Sequence, residues 1–377
     1  MGKILNPDYL DKIPNDFLRM YLDVENSIIE DMARRIYEAA QFTDTARWQY
    51  ERLKAVNASY EYVMQQLERM TGQTEGELRQ IFHDAGETAL EYDNKIYRYA
   101  GLSPKAIEES PILRQQILAA FQNTEGVFKN LSRTTASASQ KQFINALDHA
   151  ALQLQSGAFS YQDVIKSAVK SLASDGVWAI QYPTGHVDKL DVATRRATLT
   201  GVNQMASKLS LVQADDVGCD LVETTAHVGA RPSHQEWQGK VFSRSGRIGY
   251  PDFESSTGYG TGDGLCGWNC RHSFFPYFKG LSDKAYSRST LSDYKNRDVT
   301  YNGKKLSYYD ATQEQRYIER QIRRWKREQA GMSAAKQDTK EATAKLRQWQ
   351  ATQRDFLQQT GLDRDYFRER AGAQITK

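Results

Sequence analysis

The sequence predicts an α+β fold: a predominantly helical N-terminal half, a small β-containing central unit and a C-terminal helical hairpin. Three observations carry this expectation. Apolar residues recur at steps of three and four from about residue 14 to 173, and again between residues 306 and 372. The stretch from Cys219 to Pro276 breaks that period with glycines, aromatic residues and short strand-like runs. All three cysteines of the chain (Cys219, Cys266, Cys270) fall in this stretch, as do His227, His234 and His272. The expected divisions are residues 1–175 for a helical arm or bundle, 176–283 for the central unit and 284–377 for the hairpin.

Composition bounds the function classes. A chain of 377 residues can form two or three units, each with its own core. Lys and Arg total 50 against 47 Asp and Glu, a net charge of +3, which gives no general reason to expect a nucleic-acid partner. No apolar run approaches the roughly 18–20 residues of a membrane span, so no membrane association is expected. The opening MGKILNPDYLDK lacks the basic-then-apolar design of a secretory signal. Asn6 also stands where a myristoylation pattern requires Ser or Thr. Three cysteines are too few for a disulfide framework, so reduced thiols and an intracellular origin are expected.

Taken in order, the first helix is expected over Pro14–Ala40, with Phe17, Tyr21, Val24, Ile28, Met32, Ile36 and Ala39 forming one stripe. A second spans Thr45–Met70, with Trp48, Leu53, Val56, Tyr60, Val63 and Leu67 on its apolar face. Thr74 and Glu77 carry the spacing of a capping box and mark a third helix, which Gly101 stops. Ser110-Pro111 is a helix start. The Ser- and Ala-rich TTASASQ (residues 134–140) reads as a linker to a helix over Gln140–Leu154, and another spans Tyr161–Ala173. His83 and His149 stand alone on these helices, as satisfied or surface residues. VWAIQY, Pro183-Thr-Gly185 and His186-Val187 read as strand, turn and return strand, followed by a helix over residues 191–212. Its Arg195-Arg196 pair reads as a solvated face in preference to a phosphate contact.

In the central stretch, Asp220–Ala226, Lys240–Phe242 and Ser273–Phe278 read as strands. A short helical turn starts at Pro232-Ser233, and the glycine-rich run from Tyr250 to Gly267 reads as loop. The C-terminal hairpin has Ile318, Ile322 and Trp325 on one apolar face and Leu346, Trp349 and Phe356 on the other, with Gly331 between the helices. Arg316, Arg320, Arg323, Arg324, Lys326 and Arg327 offer a DNA-contacting face. The interleaved Glu314, Glu319 and Glu328 favour the alternative, i to i+4 pairing on a wet surface.

Several catalytic patterns nearly occur. Gly262-Asp-Gly264-Leu-Cys-Gly267 has dinucleotide-binding spacing but lacks the preceding strand and following helix. His234-Gln-Glu236 has the H-x-E of zinc deaminases, but Cys266 and Cys270 are separated by three residues without the required proline. The expected set of catalytic residues is therefore empty. The remaining chemistry is a structural zinc held by His234, Cys266, Cys270 and His272, with His227 as an alternative ligand. The plainer reading is buried thiols and imidazoles bonded to loop backbone, with Arg231 and Arg271 holding Asp220 or Glu223.

The order of an acidic strand, Arg231-Pro-Ser-His234, Gly239-Lys-Val-Phe242 and Asn269-Cys-Arg-His272 resembles the head-morphogenesis domain of phage Mu F-like minor capsid proteins. In that family the last element is usually Cys-Arg-Cys, and His272 takes the place of the second Cys. DVATRRATLTGVNQ (Asp191–Gln204), YYDATQEQRYIERQIRRWKRE (Tyr308–Glu328) and GLDRDYFRER (Gly361–Arg370) are similar to the phage minor capsid protein 2 family. The resemblance implies a virion protein of a tailed phage or prophage of a Gram-positive host, at the capsid interior or portal vertex. It further implies the portal and major capsid proteins as partners, genomic DNA as a further one, and a role in head assembly or genome packaging and ejection without catalysis. Two readings from other classes stand beside it: a zinc-dependent enzyme built on His234, Glu236, Cys266 and Cys270, and a DNA-binding protein using Arg316 to Arg327.

Overall fold

The computed structural model describes residues 5–41, 45–246 and 249–372. The fold is α+β, with helices dominating both ends of the chain and small two- and three-stranded sheets between them. A short helix α1 (Pro7–Lys12), not foreseen in the sequence, starts where Asn6 accepts the Tyr9 N–H at 2.7 Å and Pro7 occupies the first turn. α2 (Pro14–Ala39) follows its stripe, with Phe17, Tyr21, Ile28, Met32, Ile36 and Ala39 all buried.

α3 (Thr45–Tyr99) is a single helix where two were expected. The side chain of Thr74, on which the expected break rests, lies outside the described residues. Gly72 and Gly76 are exposed helix residues, each costing about 1 kcal/mol relative to alanine. Buried Leu67, Met70, Leu78 and Phe82 carry the apolar stripe across them. Leu53, expected on that stripe, is instead 57% exposed.

After a single 3₁₀ turn at Ile107–Glu109, α4 (Pro111–Gln155) also runs unbroken, so residues 134–140 are helix interior and not a linker. Thr135, Ala136, Ala138 and Ser139 are buried, a small-residue packing face. The Ser139 hydroxyl donates to the Ala136 carbonyl, which satisfies it within the helix. α5 (Tyr161–Asp175) is capped by Ser160 and ends at Gly176, in the left-handed region at φ 67°.

β1 (Trp178–Gln181) and β2 (Val187–Lys189) form the expected hairpin, and α6 (Leu190–Asp216) follows. β3 (Leu221–Thr224), α7 (Pro232–Gln235), β4 (Val241–Ser243), α8 (Phe253–Thr257) and β5 (Phe274–Pro276) make the central region. β3 is the middle strand of an antiparallel sheet, pairing Val222 with Phe242 on one side and Pro276 on the other. Three elements beyond it were not anticipated: α9 (Arg288–Asn296), β6 (Asp298–Tyr301) and β7 (Lys304–Ser307). The last two form a hairpin turned by Asn302-Gly303, both at positive φ, as a two-residue turn requires.

α10 (Tyr308–Ala334) and α11 (Lys340–Thr360) complete the chain, with Gly361 capping the last helix. Gly331 lies inside α10 and is not the turn. A Cβ there would come within 3.0 Å of Val169 and 3.5 Å of Ile29, so glycine permits a close helix approach.

The chain packs as two compact units, each assembled from separate segments. One holds the described residues of Met1–Asn15, Glu75–Val127 and Arg195–Thr312; the other holds Asp16–Thr74, Phe128–Thr194 and the described part of Gln313–Lys377. The second unit buries charge. Arg323 Nη2 lies 3.0 Å from Asp191 Oδ2, and Arg327 Nη1 3.5 Å from Glu25 Oε2. Glu25 Oε1 also accepts the Val177 N–H, and Arg327 Nε donates to the Ala173 carbonyl. Burial alone would raise the Asp191 carboxyl, but Arg323 and Arg327 outweigh it and hold it below its ordinary value.

Glu319 and Glu328 are buried as well, which corrects the wet-surface reading of this helix. Arg323 and Arg327 face the interior of the unit. Arg195, in the first unit, is neither a phosphate contact nor a solvated residue: it pairs with Asp11 at 2.6 Å.

Replacing Arg323 with alanine removes the nearest cation from buried Asp191. A stability loss of about 3–5 kcal/mol in urea denaturation is expected; a loss below about 1 kcal/mol would mark the pair as behaving like an exposed one. In the first unit, burial pushes the Asp93 carboxyl up to about 7 against an opposing Ser210 hydrogen bond. The unfolded chain has this group near its ordinary value of about 3.9. A raised folded value means stability that is fully present below about pH 4 and lost as pH rises through about 7. Wild type should lose on the order of 2 kcal/mol relative to Asp93→Asn between pH 5 and 8; parallel pH curves for the two proteins would contradict this.

Candidate metal centre

The core of the first unit's sheet region is Val222, Trp237, Phe242, Phe253, Leu265, Cys266, Cys270 and Phe274. Two chain segments carry ligand-type side chains into it. Pro232 starts α7 at a position where a missing N–H costs nothing, and the helix places His234 inward. The loop from Gly258 to Cys270 is folded on itself: a Cβ at Gly264 would overlap the Gly258 carbonyl, and one at Gly267 the Gly262 carbonyl. This, and not dinucleotide binding, is what those glycines serve. Cys266 and Asn269 sit at φ 59° and 54°, completing the turn that delivers Cys270. His272 follows directly, anchored because β5 pairs with β3 and the Thr225 N–H donates to the Ser273 carbonyl at 2.9 Å.

From α6, Asn203 Nδ2 donates to the carbonyls of both Cys270 and His272, at 2.9 and 3.0 Å. One buried side chain thus fastens both ends of the Cys-Arg-His turn.

The sequence placed His234, Cys266, Cys270 and His272 together as one ligand set. The structure brings three of them together: one ligand atom each from His234, Cys270 and His272 lie within 4.8 Å of one another, all buried. Cys270 Sγ is 3.9 Å from His234 Nδ1 and 3.7 Å from His272 Nδ1. Cys266 stands outside this group, its thiol 3.6 Å from the His272 carbonyl. The His227 ring stacks on His272 at 4.6 Å, with Nδ1 2.8 Å from the Val228 carbonyl.

The far side of each central imidazole meets an oxygen. His234 Nε2 lies 2.9 Å from the Asp263 carbonyl, and His272 Nε2 3.2 Å from Gln238 Oε1. Gln238 Oε1 also accepts the His227 N–H at 3.1 Å, which fixes which end of that amide is oxygen.

Burial dominates the electrostatics. It drives His234 and His272 below the ordinary imidazole value and His227 down to about 3. It also pushes the Cys266 and Cys270 thiols up. Against that trend, backbone hydrogen bonding at His272 and Cys266 lowers Cys270.

The expected arginine–carboxylate pairings do not form. Arg231 donates to the Trp268 carbonyl and Arg271 pairs with Asp11 at 3.7 Å. Asp220 accepts from Ser243 and Ser245, and Glu223 from the Ala285 N–H. Glu236, the would-be proton carrier of the deaminase pattern, is 73% exposed and 3.6 Å from Lys295. Sequence reasoning missed Gln238, Asn203 and the Asp263 carbonyl. His83 has Asp84 and Glu87 beside it on α3, all exposed.

These observations define a largely helical protein in which, among the described residues, a buried cluster of ligand-type side chains is built into a core. Among known proteins it is similar to phage structural proteins. A "Structural protein" of Lactococcus phage LL-H is 30% identical over 148 residues, 38% of this chain and 37% of that protein. A "Structural protein" of Lactococcus phage mv4 is 30% identical over 116 residues, 30% of this chain and 85% of that protein. No solved structure matches significantly. A sequence model of phage minor capsid protein 2 matches residues 5–358, and the chain belongs to that family of phage head proteins.

Asn203→Leu removes both donors to the Cys270 and His272 carbonyls. It is expected to cost about 2–4 kcal/mol, the penalty for leaving two buried acceptors unpaired. Denaturant midpoints of the two proteins measure this, and equal midpoints would show that the turn does not depend on α6.

Proposed function

We propose that the chain is a structural component of the phage head that binds the portal and major capsid proteins, and that it acts in head assembly or genome packaging and ejection without turnover. The observation that carries this reading is the span of the family match, residues 5–358, which takes in segments of both units. Two features of the structure support it. His234, Cys270 and His272 are only 1–2% exposed, so a substrate has no route to them. The second unit also carries apolar side chains on the outside of its helices: Tyr50, Leu53 and Leu152 are 66%, 57% and 67% exposed. Exposed apolar side chains on helices suit docking against other subunits.

The other readings lose support. Glu236 stands apart from the buried cluster, in solvent, so the deaminase-like enzyme lacks its proton carrier. Arg323 and Arg327 face the protein interior, which removes two cations from the DNA-binding face. No helix among the described residues is long and apolar enough to cross a membrane.

Co-expression of the chain with its cognate portal and major capsid proteins tests the proposal. Purified heads should retain the wild-type chain and lose it when Leu53 and Leu152 are both changed to aspartate. Circular dichroism should show the double variant still folded, because both residues are exposed. Heads that form normally and exclude the wild-type chain would overturn the reading.

A further inference from the structure

The geometry points to a zinc site: we propose that His234 Nδ1, Cys270 Sγ and His272 Nδ1 bind one zinc ion that holds the central region of the first unit together. Each imidazole presents Nε2 to an oxygen, the Asp263 carbonyl for His234 and Gln238 Oε1 for His272. A carbonyl oxygen only accepts, so each Nε2 carries the proton and each Nδ1 carries a lone pair. Gln238 cannot be turned to offer its NH₂ group instead, because its oxygen already receives the His227 N–H. Both Nδ1 lone pairs therefore face the single thiol of Cys270. One S–H can serve one of them, and the other is left buried with no donor. A cation at the centre satisfies all three atoms.

The distances fit. Zinc bonds of about 2.3 Å to sulfur and 2.0–2.1 Å to nitrogen, set tetrahedrally, place neighbouring sulfur and nitrogen ligands about 3.5 Å apart. The two separations here are 3.7 and 3.9 Å. The surroundings fit as well. Metal-bound histidines characteristically give their other N–H to a carbonyl or amide oxygen, as both do here. The mixed sulfur and nitrogen set selects zinc over calcium or magnesium, which take oxygen. A tetrahedral site needs a fourth ligand. The buried Cys266 thiol, 3.6 Å from the His272 carbonyl that Cys270 also approaches, is the side chain assigned to that position.

The proposal does not depend on the head-assembly reading. Its test is metal analysis of the folded full-length chain after incubation with zinc and removal of free ion. One zinc per chain is expected, falling to near zero in Cys270→Ser and unchanged in His83→Ala. Because Cys270→Ser can fail to fold, cobalt(II) titration of the wild-type chain is the second measurement. Saturation at one equivalent with a thiolate-to-cobalt charge-transfer band is expected. A folded wild-type chain that retains no zinc, or that binds cobalt without that band, would overturn the proposal, as would a folded Cys270→Ser chain that keeps its zinc.

Discussion

A protein core tolerates a thiol and two imidazoles only if each of their polar atoms finds a partner. That constraint shapes the central region of this chain. His234, Cys270 and His272 arrive from two segments far apart in sequence, and their outward-facing nitrogens are each met by an oxygen. The turn that carries Cys270 and His272 is tied to α6 by Asn203 and to β3 through the pairing of β5. The glycine-rich loop must fold on itself so closely that Gly264 and Gly267 have no room for a side chain. The loop is therefore dictated by the site it delivers and is not a flexible connector.

The second unit solves a related problem with charge. Asp191 pairs with Arg323 and Glu25 with Arg327, and the Val177 N–H and the Ala173 carbonyl bond Glu25 and Arg327 in turn. Such pairs add little net stability over apolar packing but penalise any arrangement that separates them. A protein whose central ligand-type cluster is buried and whose interior charges are tied as pairs is suited to holding shape and presenting surfaces. That agrees with membership of a minor capsid family.

Much of the fold was legible because amphipathic stripes are long and their period is unambiguous: Phe17, Tyr21, Ile28, Met32, Ile36 and Ala39, and Ile318, Ile322 and Trp325, are buried as expected. The errors came from residues with two physical meanings. Thr74 and Glu77 read as a helix start and Gly331 as a turn, yet the stripe of α3 continues past the first two and the glycine allows close packing. Residues 134–140 read as a linker because Ser and Ala are small and polar or neutral; the same smallness lets them form a buried helix face. Glu319 and Arg327 read as surface charges because burial of a charge depends on a partner far away in sequence. In the site, the spacing of Cys270 and His272 made them visible. Gln238, Asn203 and a backbone carbonyl were not, since no local pattern marks a residue whose role is to complete someone else's hydrogen bonds.

The central claim is that the turn from Asp263 to Ser273 is held rigid by what converges on Cys270. Amide hydrogen exchange of the full-length chain, with and without a zinc chelator, measures this most directly. Strong protection across residues 263–273 that collapses on chelation, while α10 and α11 keep theirs, is the predicted result. Rapid exchange in this segment under both conditions would contradict the account.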